Sequence, residues 1–320
     1  MSKGIDKKDW NIMYHLCQDS RTSHTRIAKL VGLSKNATKY RINRLMQIGI
    51  IAGFFTIIDM RLLGATSYTI LCRVNRISPG FIRFLKDHQN IIVVDGFVGK
   101  WNMIIEFACK DTFAIFNFLS VLKTNYSDII DSYELHPDLE WFMIEQLPVE
   151  LVKEKKVPRK AETNHVELDN AERILLSELN KNSNAPLLRL AERSGLHYKT
   201  VAAKLKSLKE KGVIVKFTTN ISLYELGYRV YVVLLDFRNL SATNEHMIKS
   251  FLASQTNIRA AFLSAAKPRI FIYLAVKDSD ELGDFLLKVN ERFGSSILDE
   301  EILLSSDQWK YDLFPDGILM

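Results

Sequence analysis

The sequence predicts an α+β fold in which one unit, a winged-type helix-turn-helix followed by a small α/β sandwich, is repeated twice along 320 residues. Three observations carry this. Residues 32–51, GLSKNATKYRINRLMQIGII, return without a gap as residues 195–214, GLHYKTVAAKLKSLKEKGVI, at a fixed offset of 163. After each copy the apolar period shortens from a helical to a strand-like one. Charge follows the same rhythm: net +6 over residues 1–60 and again over 148–220, against −2 over 61–147 and −4 over 221–320. Positive charge on the helix-turn-helix segments alone is how a protein meets a polyanion with one face.

Residues 5–18 read as the first helix, broken by Asp19-Ser20-Arg21-Thr22-Ser23. Ser23 is a plausible N-cap for a short second helix, and Ala28 is small enough for a close helix crossing. A Gly-Leu corner, Gly32-Leu33, then leads to Ser34 as N-cap of a third helix; in the second copy the poorer cap His197 stands there. Thr38, Ile42 and Leu45, and likewise Val201, Leu205 and Leu208, are spaced as one buried helical stripe. The opposite face is basic and polar, as in the second helix of a helix-turn-helix. In the first copy Lys35, Asn36 and Lys39 are candidates for base contact, with Ser34, Arg41 and Arg44 for phosphates; in the second, Tyr198 and Lys199 face bases and Lys204 and Lys206 the backbone. Ala202 replaces Lys39, so the two units are not expected to read the same half-site equally well.

Residues 50–58 are too apolar for a loop and read as a strand or wing. Residues 67–74, 91–98, 103–108 and 129–135 read as strands, and 79–88 and 111–123 as helices, the latter with Phe113, Phe116, Leu119 and Leu122 on its apolar flank. The order strand-helix-strand-strand-helix-strand is that of a ferredoxin-like α/β sandwich. Such a sheet has one bare apolar face, which calls for another sheet to cover it. The charged, proline-containing stretch 148–165 reads as a linker, after which the whole unit repeats. The expected domains are therefore 1–60 and 166–223 for the two DNA-binding units and 61–147 and 224–320 for the two sandwiches.

The pattern D-x-R-x-S-x-x-x-I-A-x-x-x-G-L-S over residues 19–34, ahead of a ferredoxin-like domain and with Val98-Gly99-Lys100-Trp101-Asn102 between two strands, resembles the Lrp/AsnC family of transcriptional regulators. The resemblance covers nearly the whole chain twice. It implies sandwich domains that dimerise, dimers that assemble further, double-stranded DNA as partner, and small effectors bound near a G-x-x-D loop. Gly99 and Asn102 occupy that loop's Gly and Asp positions, so they are the candidate effector residues; Ala266 and Arg269 stand there in the second copy. Asn or Arg removes the carboxylate that would pair an α-amino group.

The scattered histidines and the three cysteines, Cys17, Cys72 and Cys109, offer no ligand spacing, so no metal site or cofactor is proposed. No apolar run approaches the ~20 residues that span a bilayer, and a soluble cytoplasmic protein is expected. An enzyme is the first rival, since some fused relatives of this fold resemble siroheme decarboxylases; residues 91–98 and 258–264 contain no His, although Arg259 is present. An adaptor using the helix-turn-helix for protein contact is the second.

Overall fold

The computed structural model describes residues 4–147, 165–238, 240–265 and 269–319; the expected linker, apart from His165, lies outside them. The first half runs α1 (Lys7–Gln18), α2 (His24–Val31), α3 (Lys35–Gln47), β1 (Ile51–Ile58), β2 (Thr66–Val74), α4 (Pro79–Asp87), β3 (Ile91–Val98), β4 (Met103–Cys109), α5 (Thr112–Asn125) and β5 (Ile130–Ile144). The second half repeats this order as α6 (Asn170–Lys181), α7 (Leu187–Ser194), α8 (Tyr198–Glu210), β6 (Ile214–Ile221), β7 (Arg229–Phe237), α9 (Ala242–Ser254), β8 (Ile258–Ser264), β9 (Arg269–Val276), α10 (Ser279–Phe293) and β10 (Ile297–Tyr311).

Most of the helices begin where a polar side chain satisfies their first free N–H groups, α7 at Pro186 excepted. Asp6 and Asp169 start α1 and α6 with reciprocal capping boxes to Asp9 and Glu172. The stripes Thr38, Ile42, Leu45 and Val201, Leu205, Leu208 are buried. The expected flank of α5 is half right. Ile115, Phe118, Leu119 and Leu122 face the sheet, whereas Phe113 and Phe116 are 70% and 61% exposed. So many apolar residues in one helix leave two overlapping stripes, and the period alone does not choose between them.

The bare sheet faces meet inside this one chain. Eight strands close into a barrel in the order β10-β3-β4-β2-β5-β8-β9-β7, and β1 pairs with β6 in a separate two-stranded ribbon. Closure depends on β5 and β10, each of 15 residues. The first part of β5 pairs with β2 of its own half and the rest with β8 of the other. Correspondingly, β10 pairs first with β7 and then with β3. Pro137, which has no N–H to donate, falls where β5 passes from one partner to the other, a position a ladder tolerates. Closing the sheet removes the edges that a single sandwich would expose.

Two equivalences mark an internal two-fold relation. Phe55 pairs with Thr218, its own counterpart at the offset of 163, at the centre of the ribbon. The hydroxyls of Ser20 and Ser183, also counterparts, lie 2.7 Å apart and buried. Across this relation each helix-turn-helix packs on the other half. The core of α1–α3 includes Ile221, Leu223 and Tyr228, and that of α6–α8 includes Ile58, Leu62 and Leu63. The halves are therefore interleaved.

The barrel interior is apolar at its waist, where Leu71, Phe97, Ile104, Leu234, Phe262, Phe271 and Leu303 meet. Toward one end it holds three carboxyls, Asp95, Glu106 and Asp138. Burial pushes the Asp95 and Asp138 carboxyls up to about 7, and Glu106 to about 8, with the charges of Asp138 and Asp95 adding to burial for Glu106. These three carboxyls hold more protons in the folded than in the unfolded chain from the ordinary carboxylate range up to about pH 8, so their own contribution to stability falls as pH rises through that window. Glu106→Gln, which keeps the neutral form, should gain in thermal midpoint relative to the parent between about pH 5.5 and about pH 8, followed by circular dichroism.

Candidate nucleic-acid interface

Each reading unit is built around a glycine corner. Gly32 and Gly195 adopt φ of 66° and 68°, the left-handed conformation that ends α2 and α7 and turns the chain into the next helix. Ser34 Oγ accepts from the Ala37 N–H at 3.1 Å and starts α3. His197 Nδ1 accepts from the Lys199 N–H at 3.4 Å, a longer bond and a weaker start to α8. Both third helices hold their apolar stripe inward and leave their N-terminal turns in solvent.

On α3 the side chains of Lys35, Asn36 and Lys39 are exposed and have no hydrogen-bond or ion-pair partner among the described residues. Tyr40, one turn on from Asn36, is 69% exposed on the same surface; the spacing of four from Asn36 is the signal that would have placed it there. Desolvation together with the charges of Lys39 and Lys35 holds the His24 imidazole below its ordinary range, so positive potential gathers where α2 meets α3. On α8, Tyr198 is 41% exposed and its ring lies 4.5 Å from that of His197. Lys199 is exposed beside it, and Lys206 projects into solvent 3.7 Å from Glu210.

Four of the expected phosphate contacts are engaged inside the units. Ser34 is the N-cap just described. Arg41 Nη1 donates to Asp6 Oδ2 at 2.8 Å and to Asp9 Oδ1 at 2.9 Å. Arg44 donates to Asp9 Oδ2 at 3.3 Å and to the Gly4 carbonyl at 2.9 Å. In the second copy Lys204 binds Asp169 and lies 3.7 Å from Glu172. Position for position this is one clamp, tying the third helix of each unit to the first. The sequence shows these residues as basic; only the crossing of the helices brings the carboxylates to them. Asp9 is fully buried, so Asp9→Ala should cost about 3 kcal/mol by leaving two guanidinium groups without their shared partner, measured as a shift in urea denaturation.

Both units match the winged helix-turn-helix DNA-binding family, over residues 5–52 and 168–215. An uncharacterized HTH-type transcriptional regulator of Pyrococcus horikoshii is 30% identical over 128 residues, which are 38% of this chain and 83% of that protein. The HTH-type transcriptional regulator FL11 of Pyrococcus abyssi is 29% identical over 121 residues, 38% of this chain and 79% of its own. This chain is a member of the Lrp/AsnC family of transcriptional regulators. It is a tandemly duplicated member that binds DNA to regulate transcription. In overall fold, the solved siroheme decarboxylase NirDL matches 98% of this chain and 96% of its own with a TM-score of 0.65 and 14% identity, a likeness of architecture. Among the described residues no helix is long and apolar enough to cross a membrane.

In this Lrp/AsnC regulator the expected effector loop is occupied by structure. Asn102 Oδ1 accepts from the Val74 N–H at 2.7 Å and Nδ2 donates to the Val74 carbonyl at 2.8 Å, so its amide locks the loop to β2. A Cβ on Gly99 would lie 2.6 Å from Leu303 Cδ2, so the glycine is there for close packing against β10. The side-chain oxygen and nitrogen of Asn102 are each hydrogen-bonded within the fold, and Gly99 carries no side chain. Ala266 lies outside the described residues. Arg269, the other second-copy position, is 1% exposed in the barrel. Its guanidinium binds Asp236 through Nε and, at 2.8 Å, through Nη2, and reaches Glu134 of the first half at 2.9 Å. Desolvation works against its charge, but Asp236 and Glu134 outweigh it and hold the pKa above the ordinary value. What reads in the sequence as a lost effector group is an ionic tie between the halves.

Proposed function

We propose that one chain presents two unlike recognition helices to double-stranded DNA and reads two unlike half-sites. A single comparison supports this. Buried positions of α3 and α8 keep their character, with Thr38 opposite Val201, Ile42 opposite Leu205 and Leu45 opposite Leu208. Exposed positions do not: Lys35, Asn36, Lys39, Tyr40 and Asn43 become Tyr198, Lys199, Ala202, Ala203 and Lys206. Interiors set the shape of a reader and surfaces set what it reads. Because sheet pairing is internal, one chain is the smallest reading unit, and the unlike halves escape the rule that a symmetric dimer takes like half-sites. Lys35, Asn36, Lys39, Tyr198 and Lys199 face bases in this reading, and Lys206 faces phosphate.

Selection from a random duplex pool tests it. The recovered sites should be non-palindromic with two distinct half-sites; palindromic sites would overturn the asymmetry, and no enrichment would overturn sequence reading altogether. We further read the chain as non-catalytic and cytoplasmic. The inner cavity of the barrel is lined by Asp95, Glu106 and Asp138, a poor match for a polycarboxylate substrate such as a siroheme. Unchanged absorption on titration with siroheme is the expected result.

A further inference from the structure

Below the β1–β6 ribbon, the barrel opens into a cavity of about 1940 Å³, larger than the ordinary range for small-molecule sites. We infer that this cavity binds a small organic cation, a protonated amine that spans the carboxyls of Asp95, Glu106 and Asp138 and lies against the rings of Trp141 and Tyr273.

These residues converge from different strands onto one wall. Asp95 is on β3, Glu106 on β4, Asp138 and Trp141 on β5, and Tyr273 on β9, and all five line the cavity. Asp95 and Glu106 each interrupt a strand that is otherwise apolar, IIVVDGFV and MIIEFAC. A carboxylate buried without a cationic partner is costly, and an apolar residue there would stabilise the barrel. All three acids have partial compensation. Glu106 Oε1 accepts from the Tyr273 hydroxyl at 3.1 Å. Asp138 accepts from Thr69 Oγ1 at 3.0 Å and from Trp141 Nε1 at 3.2 Å. Asp95 receives the Gln308 amide, yet its Oδ1 is sealed from solvent with no hydrogen-bond partner.

Of the six basic residues that line the cavity, Arg61, Lys209, Lys211, Lys216, Arg229 and Arg259, three are ion-paired. Lys216 lies 3.3 Å from Glu145, Arg61 lies 2.8 Å from Asp59, and Lys209 lies 3.6 Å from Asp19. Arg259 donates to Gln146 at 3.1 Å and acts on Asp95 through space. Among the described residues no group of three His, Cys, Asp or Glu is placed to hold a metal ion. The acids are therefore spread for an extended cation. The aromatic side fits this: Trp141 stacks on Phe262 at 4.4 Å and Phe262 on Phe271 at 4.4 Å, presenting a rigid ring face to a cation. In the empty cavity the carboxyls hold protons near neutrality; an amine that enters replaces them, and protons leave to solvent.

The full chain is titrated calorimetrically with spermidine, without DNA, in two buffers of unlike ionisation enthalpy. Saturable binding, quenching of tryptophan fluorescence, release of protons, and tightening of at least fivefold between pH 6 and pH 8 are expected. Asp95→Asn with Glu106→Gln imitates the protonated carboxyls, so it should fold as the parent does by circular dichroism while losing at least tenfold in affinity. Trp141→Leu should weaken binding separately and abolish the fluorescence change. Absence of saturation at millimolar spermidine, proton uptake, or equal affinity in the double variant would overturn the inference, as would saturable binding of the polyanionic iron uroporphyrin in spermidine's place. The measurement contains no DNA, so its failure leaves the reading of half-sites standing.

Discussion

Arg269→Ala lowers the unfolding free energy by about 3–5 kcal/mol, because it strands buried carboxylates that now share one guanidinium. Arg269 binds Asp236 with two nitrogens and Glu134 with a third, and Glu301 lies 3.7 Å away. Glu134 belongs to the first half of the chain, while Asp236, Arg269 and Glu301 belong to the second, so the loss falls on the junction of the halves. Urea denaturation read by both circular dichroism and tryptophan fluorescence measures it. Asp236→Ala combined with Arg269→Ala should cost less than the two single changes added together, since the second removal relieves a charge stranded by the first. Additivity within error would show that the cluster does not act as a unit.

The second large effect concerns DNA. Lys35→Ala, Asn36→Ala and Lys39→Ala together should weaken binding to a selected site by about 10- to 1,000-fold, taking about 1–3 kcal/mol for each good base contact and allowing that not all three make one. Binding to random duplexes should fall far less, and by the loss of the two lysine charges alone. Tyr198→Ala with Lys199→Ala should affect only the other half-site of the same operator. An equal loss on selected and random DNA would remove base reading from these residues and leave them as phosphate contacts. Arg41→Ala, by contrast, should act mainly through stability, since its guanidinium is spent on Asp6 and Asp9.

The duplication, the helix-turn-helix corners and the order of each sandwich were legible because they rest on local rules. Glycine in the left-handed region at Gly32, a polar cap at Ser34 and an apolar residue every three or four places are readable within one turn of helix. The basic side chains of the third helices were legible as charge but not as role. Lys35 and Arg41 look alike in the sequence; one is free in solvent and the other is held by carboxylates 32 and 35 residues away. The same limit hid the cavity. Asp95, Glu106 and Asp138 are isolated acids in separate segments until β3, β4, β2 and β5 lie side by side.

By itself the sequence determined the repeated α+β unit, the inward stripe of each recognition helix, and the family to which the chain belongs, because each follows from residues close together along the chain. The tertiary structure alone decided that both sheets close into one barrel, that each helix-turn-helix sits on the opposite half, and that Asn102 and Arg269 hold the barrel together. The reason is physical. Burial and pairing of charges are properties of space, and a side chain's task is set by whatever the fold brings against it, often from more than a hundred residues away, as Glu134 is brought to Arg269.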